Sequence, residues 1–189
     1  PVLIEGGDTA GYEHFRQSAI AHFSGAKYPF ADRIVKISLL LPANDQLLKA
    51  LEPQVDIAAQ SISTNADANT DIFQAAWRSV SLALMEYRRG NFEKAADWCH
   101  QSLNYPENIL PRTATARTLL AMSEQKLGNT GEARSQLQQA REIVDNKFKS
   151  QLDLGNPTQG FWFDWLFARI LLKEATELID GNPKAVQLH

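Results

Sequence analysis

The sequence predicts an all-α fold, a right-handed solenoid of about eight helices stacked as antiparallel pairs. Two observations carry that prediction. One pattern occurs twice in succession: with Gly90 laid over Gly128, Leu82 falls on Leu120, Ala83 on Ala121, Leu84 on Met122, Asn91 on Asn129, Ala95 on Ala133, Cys99 on Leu137 and Ser102 on Ala140. Elsewhere apolar residues recur at helical spacing between glycine, asparagine and proline breaks, and no segment reads as a strand. Self-similarity at such a period marks a helical repeat array, in which each pair buries its apolar faces by stacking on its neighbours.

Taken in order, residues 1–8 read as the end of an element. Gly7-Asp8 resembles the junction Gly90-Asn91, so the first helix of that pair is reduced to its last residues. Tyr12, Phe15, Ala19, Ile20 and Phe23 share one helical face, which predicts a helix over residues 10–23, ended by Ser24-Gly25. Pro29 or Phe30 opens the next helix, with Ala31, Ile34, Val35, Ser38 and Leu39 as its buried stripe, and Pro42 stops it after Leu41. Asn44 or Asp45 caps a helix that reaches residue 63. Pro53 inside it predicts a kink or a break, because proline lacks an amide donor and clashes with the preceding turn. Residues 63–70 are polar and read as a loop.

Residues 71–89 and 92–103 form the first clear repeat, and 111–127 and 130–145 form the second, with Pro111 suited to a helix start. Residues 147–159 lack an apolar period and hold Gly155-Asn156-Pro157, so they read as a long loop. A last helix over 161–180 is stopped by Gly181-Asn182-Pro183, and the tail to His189 reads as loose. The division gives one helical domain over 1–189, with degenerate repeats in 1–63, clear repeats in 71–104 and 111–145, and a terminal helix. A first residue other than methionine predicts a piece of a larger protein.

The repeated junction has a physical logic. A helix commonly ends in a left-handed residue, which glycine adopts without steric cost. Asn91, Asn129 or Thr130 can then cap the helix that follows. Alanines at 83 and 121, facing 95 and 133, let antiparallel helices approach closely, while Cys99 and Leu137 fill the core.

These residues also carry a resemblance. LALMEYRRGNFEKAADW (residues 82–98) and LLAMSEQKLGNTGEARSQL (residues 119–137), followed by Ala140, resemble tetratricopeptide repeats. The second copy lacks the opening tryptophan, alanine replaces the usual first glycine, and the copies stand a few residues further apart than the usual period of about 34. A longer inter-repeat loop at 105–110 accounts for the difference. Over most of the chain, GDTAGYEHFR (7–16), ADRIVKISLLLP (31–42), EYRRGNFEKAADW (86–98) and FDWLFARILLKEA (163–175) resemble the repeat-containing C-terminal segments of large bacterial serine/threonine protein kinases. That resemblance implies a signalling context. It implies a cytoplasmic position, or an extracytoplasmic one where a parent chain spans the membrane.

Composition narrows the chemistry. The chain has 189 residues, 44% hydrophobic, with net charge -3, which favours neither disorder nor nucleic-acid binding. One cysteine, Cys99, excludes an internal disulfide framework, and no apolar run is long enough to insert into a membrane. Asn65, Asp67, Asn69 and Asp71 alternate as calcium ligands do, but the places that need glycine and glutamate hold Ile72 and Arg78. The glycines at 6, 7 and 11 lack the Gly-Lys-Ser/Thr ending of a phosphate loop and read as a helix–helix turn. His14, His22, His100 and His189 have no zinc-type spacing, and no nucleophile or kinase motif occurs. The expectation is a non-catalytic chain without cofactor or metal.

The expected site is a groove for a protein or peptide. In the resembled family, the first helix of each pair lines the concave face. By that resemblance Trp77, Val80, Leu84, Tyr87 and Arg88 face the groove from one repeat, and Thr115, Thr118, Met122, Gln125 and Lys126 from the next. Trp162, Trp165 and Arg169 join them from the last helix. The alternative for Trp77, Tyr87, Trp162 and Trp165 is packing between helices. Family members that grip a C-terminal carboxylate use a lysine–asparagine pair, but the matching places hold Val80 and Leu84, then Thr118 and Met122. An extended or helical segment with apolar anchors fits better. The last helix has little polar face, from Phe161 through Leu172. It either folds back into the groove or meets another chain, and a homodimer through it is the second expectation.

Overall fold

A computed structural model of the chain describes residues 1–24, 31–63, 72–106, 108–149 and 161–181. Among these residues the structure is entirely helical: α1 (Val2–Glu5), α2 (Thr9–His22), α3 (Ala31–Ser38), α4 (Asp45–Ser63), α5 (Ile72–Arg88), α6 (Phe92–Asn104), α7 (Leu110–Lys126), α8 (Thr130–Lys149) and α9 (Trp162–Asp180). The fold is an α-solenoid of helix pairs. α3 packs on α4, α5 on α6 and α7 on α8, and each pair packs on the next.

The junctions form one repeated turn. Gly90 and Gly128 have φ of 81° and 86°, and Gly7 has 78°. The amide of Gly90 donates to Tyr87 O at 3.0 Å and that of Asn91 to Glu86 O at 2.9 Å. Gly128 and Asn129 repeat this on Gln125 O and Glu124 O at 3.2 and 2.9 Å, and Gly7 and Asp8 repeat it on Ile4 O and Leu3 O at 3.0 and 2.8 Å. These crossed bonds satisfy carbonyls that a helix end leaves open. Asn91 and Asn129 do not cap with their side chains. Each donates its amide nitrogen at 2.6 Å to the glutamate five residues earlier, Glu86 or Glu124. Asp8 does cap, accepting from Gly11 N at 2.8 Å.

α5 and α7 are buried almost all round because small residues let neighbours close on every side. Ala83, Ala95, Ala121 and Ala133 have no exposed surface, and Cys99 and Leu137 pack in the same core. Some buried hydroxyls of α5 and α7 are satisfied on their own helices: Ser79 donates to Ala75 O at 3.0 Å and Ser123 to Leu119 O at 2.8 Å.

Two helix ends differ from expectation, and one alternative is excluded. α3 ends at Ser38 rather than Leu41, because side chains hold the next backbone groups. Tyr12 Oη accepts from Leu40 N at 3.1 Å and donates to Ile37 O at 2.9 Å. Arg88 donates to Leu39 O and Leu40 O at 3.0 and 3.1 Å, and Arg16 to Pro42 O at 3.0 Å. α4 continues as one helix through the exposed Pro53, which excludes the break of the two expected alternatives. α8 continues to Lys149, past the expected end at 145, because half-buried Phe148 packs on the core and lies 4.1 Å beneath the Arg169 guanidinium. The expected helix start at 29–30, most of the 63–70 and 147–159 loops, and the tail from 182 lie outside the described residues.

α9 packs back onto the stacked pairs. It packs on α7, α8 and α1, burying Trp165, Phe167, Ile170, Leu171, Leu172 and Ile179. Each such side chain fully removed from water stabilises by about 1.5–3 kcal/mol. Ion pairs tie α9 to four helices: Asp164 to Lys36 of α3, Glu174 to Arg88 of α5, Arg169 to Glu5 of α1 and Asp180 to Arg141 of α8. The wide apolar surface of α9 is therefore covered within the chain. Among the described residues of α9, Trp162 is the large apolar side chain left exposed.

Candidate functional site

Burial decides what the expected groove residues can touch. Val80, Leu84, Thr118 and Met122 have no exposed surface, and Thr115 has almost none. The two threonine hydroxyls turn back onto their own helix, donating at 2.8 Å to Pro111 O and Ala114 O. These five side chains are core, so none of them is open to a partner. Tyr87 is buried beside Phe92, with ring centres 5.6 Å apart, and burial plus the Glu174 carboxylate push its hydroxyl up to about 12. Trp165 is buried on α9. Arg88 and Arg169 are committed to ion pairs with Glu174 and Glu5. Gln125 is half-buried and Lys126 exposed at the end of α7.

Trp77 and Trp162 do come together, at a cavity of about 650 Å³. It opens where α1, α2, α3 and the first turns of α5 and α9 meet. Phe161 has φ of 64°, a left-handed conformation unusual for a residue with a side chain. Its ring stacks on Trp77, with centres 6.0 Å apart and planes at 16°, and lies 6.3 Å from Phe73. Trp162 meets Phe163 edge-on at 6.1 Å. Phe15 and Trp162, each 43% exposed, stand at the rim. Backbone strain held by packing is a feature of ligand clamps.

Charged groups lie among these rings. Lys36, itself buried, places its ammonium 2.6 Å from Asp164 Oδ1 and 4.4 Å from the centre of the Trp77 ring. Phe167 and Phe163 stand 5.4 and 5.7 Å away on its other sides. A cation over aromatic faces gains attraction that grows as water is excluded. Asp32, one turn before Lys36, is 3% exposed and lines the cavity. Burial raises its carboxyl above the ordinary value of 3.8, while the charges of Lys36, Arg78 and Arg33 oppose the shift.

Phe15, Phe73, Asp32 and Lys36 were missed as site residues. The available signal was a pair of charges one turn apart on the apolar stripe of α3. Among the described residues no group of three or more histidine, cysteine, aspartate or glutamate side chains comes together to hold a metal ion. No helix of the described residues is long and apolar enough to cross a membrane. The calcium-like stretch from Asn65 to Asp71 lies outside the described residues.

Residues 73–146 match the family model described as Tetratricopeptide repeat, which spans α5 to α8 and both copies of the glycine junction. No curated protein and no solved structure gives a significant match.

Proposed function

We propose that this chain, which carries tetratricopeptide repeats over residues 73–146, is a non-catalytic protein-binding scaffold that receives its partner at the aromatic cavity. Repeat arrays of this kind bind through surfaces built from stacked helix pairs. Here the expected groove positions Val80, Leu84, Thr115, Thr118 and Met122 are buried, and the single observation that carries the reading is what remains exposed. Phe15 and Trp162 stand exposed at the rim of a cavity walled by further aromatic rings. Aromatic side chains dominate the anchoring points of interfaces because they bury much area with few rotatable bonds. The four stretches that resemble bacterial kinase segments support a place within a signalling protein. A homodimer through α9 would have to be built on Trp162, the same rim.

Phe15→Glu and Trp162→Glu test the reading. Both side chains stand at the rim rather than in the core, so the variants are expected to keep their helical circular dichroism. Each is expected to weaken partner binding by roughly tenfold or more, the loss typical of a hot-spot residue. Lys126→Glu, outside the cavity, is expected to leave binding unchanged. Loss at Lys126 with retention at both rim positions would overturn the proposal.

A further inference from the structure

We propose that the cavity takes a partner segment in which a large apolar side chain stands next to an acidic one. The apolar group enters between the rings, and the carboxylate pairs with Arg33 at the mouth. The inference rests on the reading of the cavity as the partner site and names the kind of segment that enters it.

The walls set the apolar half. Phe73, Trp77, Phe161 and Phe163 surround the space, so an aromatic or long aliphatic side chain finds contacts on several sides. A space of about 650 Å³ is within the range of pockets that hold small molecules, and it accepts one such side chain with part of its flanks.

The charges set the acidic half. Asp32, Asp164, Arg33 and Lys36 all line the cavity, but they are not equally open to a visitor. Asp164 is bonded to Lys36, and both side chains are mostly covered. Asp32 is almost wholly buried, and burial favours its neutral form. Arg33 is exposed. The Pro1 amine adds positive charge at the same cavity, although burial pushes it below its ordinary value of 8.0. Among the described residues that line the cavity, the exposed side chains are Val2, Phe15, Arg33 and Trp162, three apolar groups and one cation. An incoming segment therefore meets apolar surface and positive charge. An acidic neighbour to the anchor complements that surface, and a basic one finds no exposed carboxylate among these residues to receive it. Arginine also suits the task chemically. Its guanidinium stays charged at every ordinary pH and offers five donors in a planar fork, enough for more than one acceptor.

The experiment uses the whole 189-residue chain and three capped tetrapeptides, acetyl-Leu-Phe-X-Leu-amide with X as glutamate, glutamine or lysine. The chain has four tryptophans, each giving one indole N–H signal in a proton–nitrogen correlation spectrum. At low salt the glutamate peptide is expected to move the Trp77 and Trp162 signals and leave Trp98 in place. The glutamine peptide is expected to bind about fivefold more weakly and the lysine peptide more weakly still. In about 1 M salt, where charges are screened within a few ångströms, the three should converge. Arg33→Gln should erase the preference for glutamate and leave the glutamine peptide binding as before. Arg33 is exposed, so the change tests the charge without opening the core. Arg134→Gln, exposed on α8 and away from the cavity, should keep the preference.

Equal binding of the glutamate and glutamine peptides at Trp77 and Trp162 would overturn the acidic assignment while leaving the cavity as the partner site. Preference for lysine would show that the buried carboxylates set the field, and it would overturn the proposal. Octanoate, an anion on an apolar chain, moving these signals where the glutamate peptide does not would assign the cavity to a fatty acid instead. If no peptide moves Trp77 or Trp162, the proposal is overturned. If in addition the rim variants leave partner binding intact, the reading beneath it falls as well.

Discussion

Arg88 of α5 and Glu174 of α9 form a forked ion pair, with Nη2 2.7 Å from Oε2 and Nη1 bonded to Oε1. The same guanidinium holds Leu39 O and Leu40 O at the end of α3. One side chain thus joins three helices.

Glu174→Gln keeps the volume and removes the charge. Arg88 is nearly buried while Glu174 is partly exposed, so the loss is that of a charge-assisted hydrogen bond in a partly screened site, about 2 kcal/mol. For a chain of this length that corresponds to a fall in Tm of roughly 4–8 °C. Thermal unfolding followed by circular dichroism checks it. An unchanged Tm would mean that the pair does not hold α9 in place.

Asp32 gives a pH signature. Burial holds its carboxyl above the ordinary value of 3.8, so the folded chain keeps this proton better than the unfolded chain. The stability that follows is complete below pH 3.8 and is lost as pH rises through the folded value. Lys36 and Arg33 on α3 and Arg78 on α5 face the group, together with Asp164 of α9 across the cavity. Asp32→Asn cannot ionise, and it should melt a few degrees above the parent chain at neutral pH. The gain should vanish in acid. A gain that is the same at every pH would contradict this account.

Gly90 and Gly128 are left-handed, and a Cβ at either would meet nothing within 4 Å. The cost of Gly90→Ala or Gly128→Ala is therefore conformational, about 1–2 kcal/mol each. Urea unfolding should show lower midpoints with an unchanged denaturant slope. A larger loss at one site would reveal a contact that the repeat symmetry does not contain.

Cys99 is wholly buried, and burial pushes its thiol well above its ordinary range. A thiol reagent at neutral pH should leave it unmodified in the native chain and label it once in denaturant. Rapid labelling of the native chain would show that the α5–α6 layer opens.

The repeat was legible because its signal is local. Gly90 and Gly128 sit at the same place between helices, and the alanines around them mark close approach. The fate of α9 was legible only as two alternatives, because its apolar width shows in its own residues but its partners are distant. Lys36 and Asp164 are 128 residues apart, and Glu5 and Arg169 are 164 apart. For the same reason Val80, Leu84, Thr118 and Met122 read as groove residues by position. Position within a repeat says which way a side chain points, not what the rest of the chain lays over it. The cavity draws on the chain from Pro1 to Asp164, so no window of sequence contains it.

The central claim is that a partner meets the chain at the cavity rim beside α9. It is tested most directly by placing a photoreactive benzoylphenylalanine at position 15, 162 or 126 and irradiating the chain in an extract of the cells that make it. The account predicts one common protein attached at 15 and 162 and none at 126. Attachment at 126 without attachment at either rim position would contradict it.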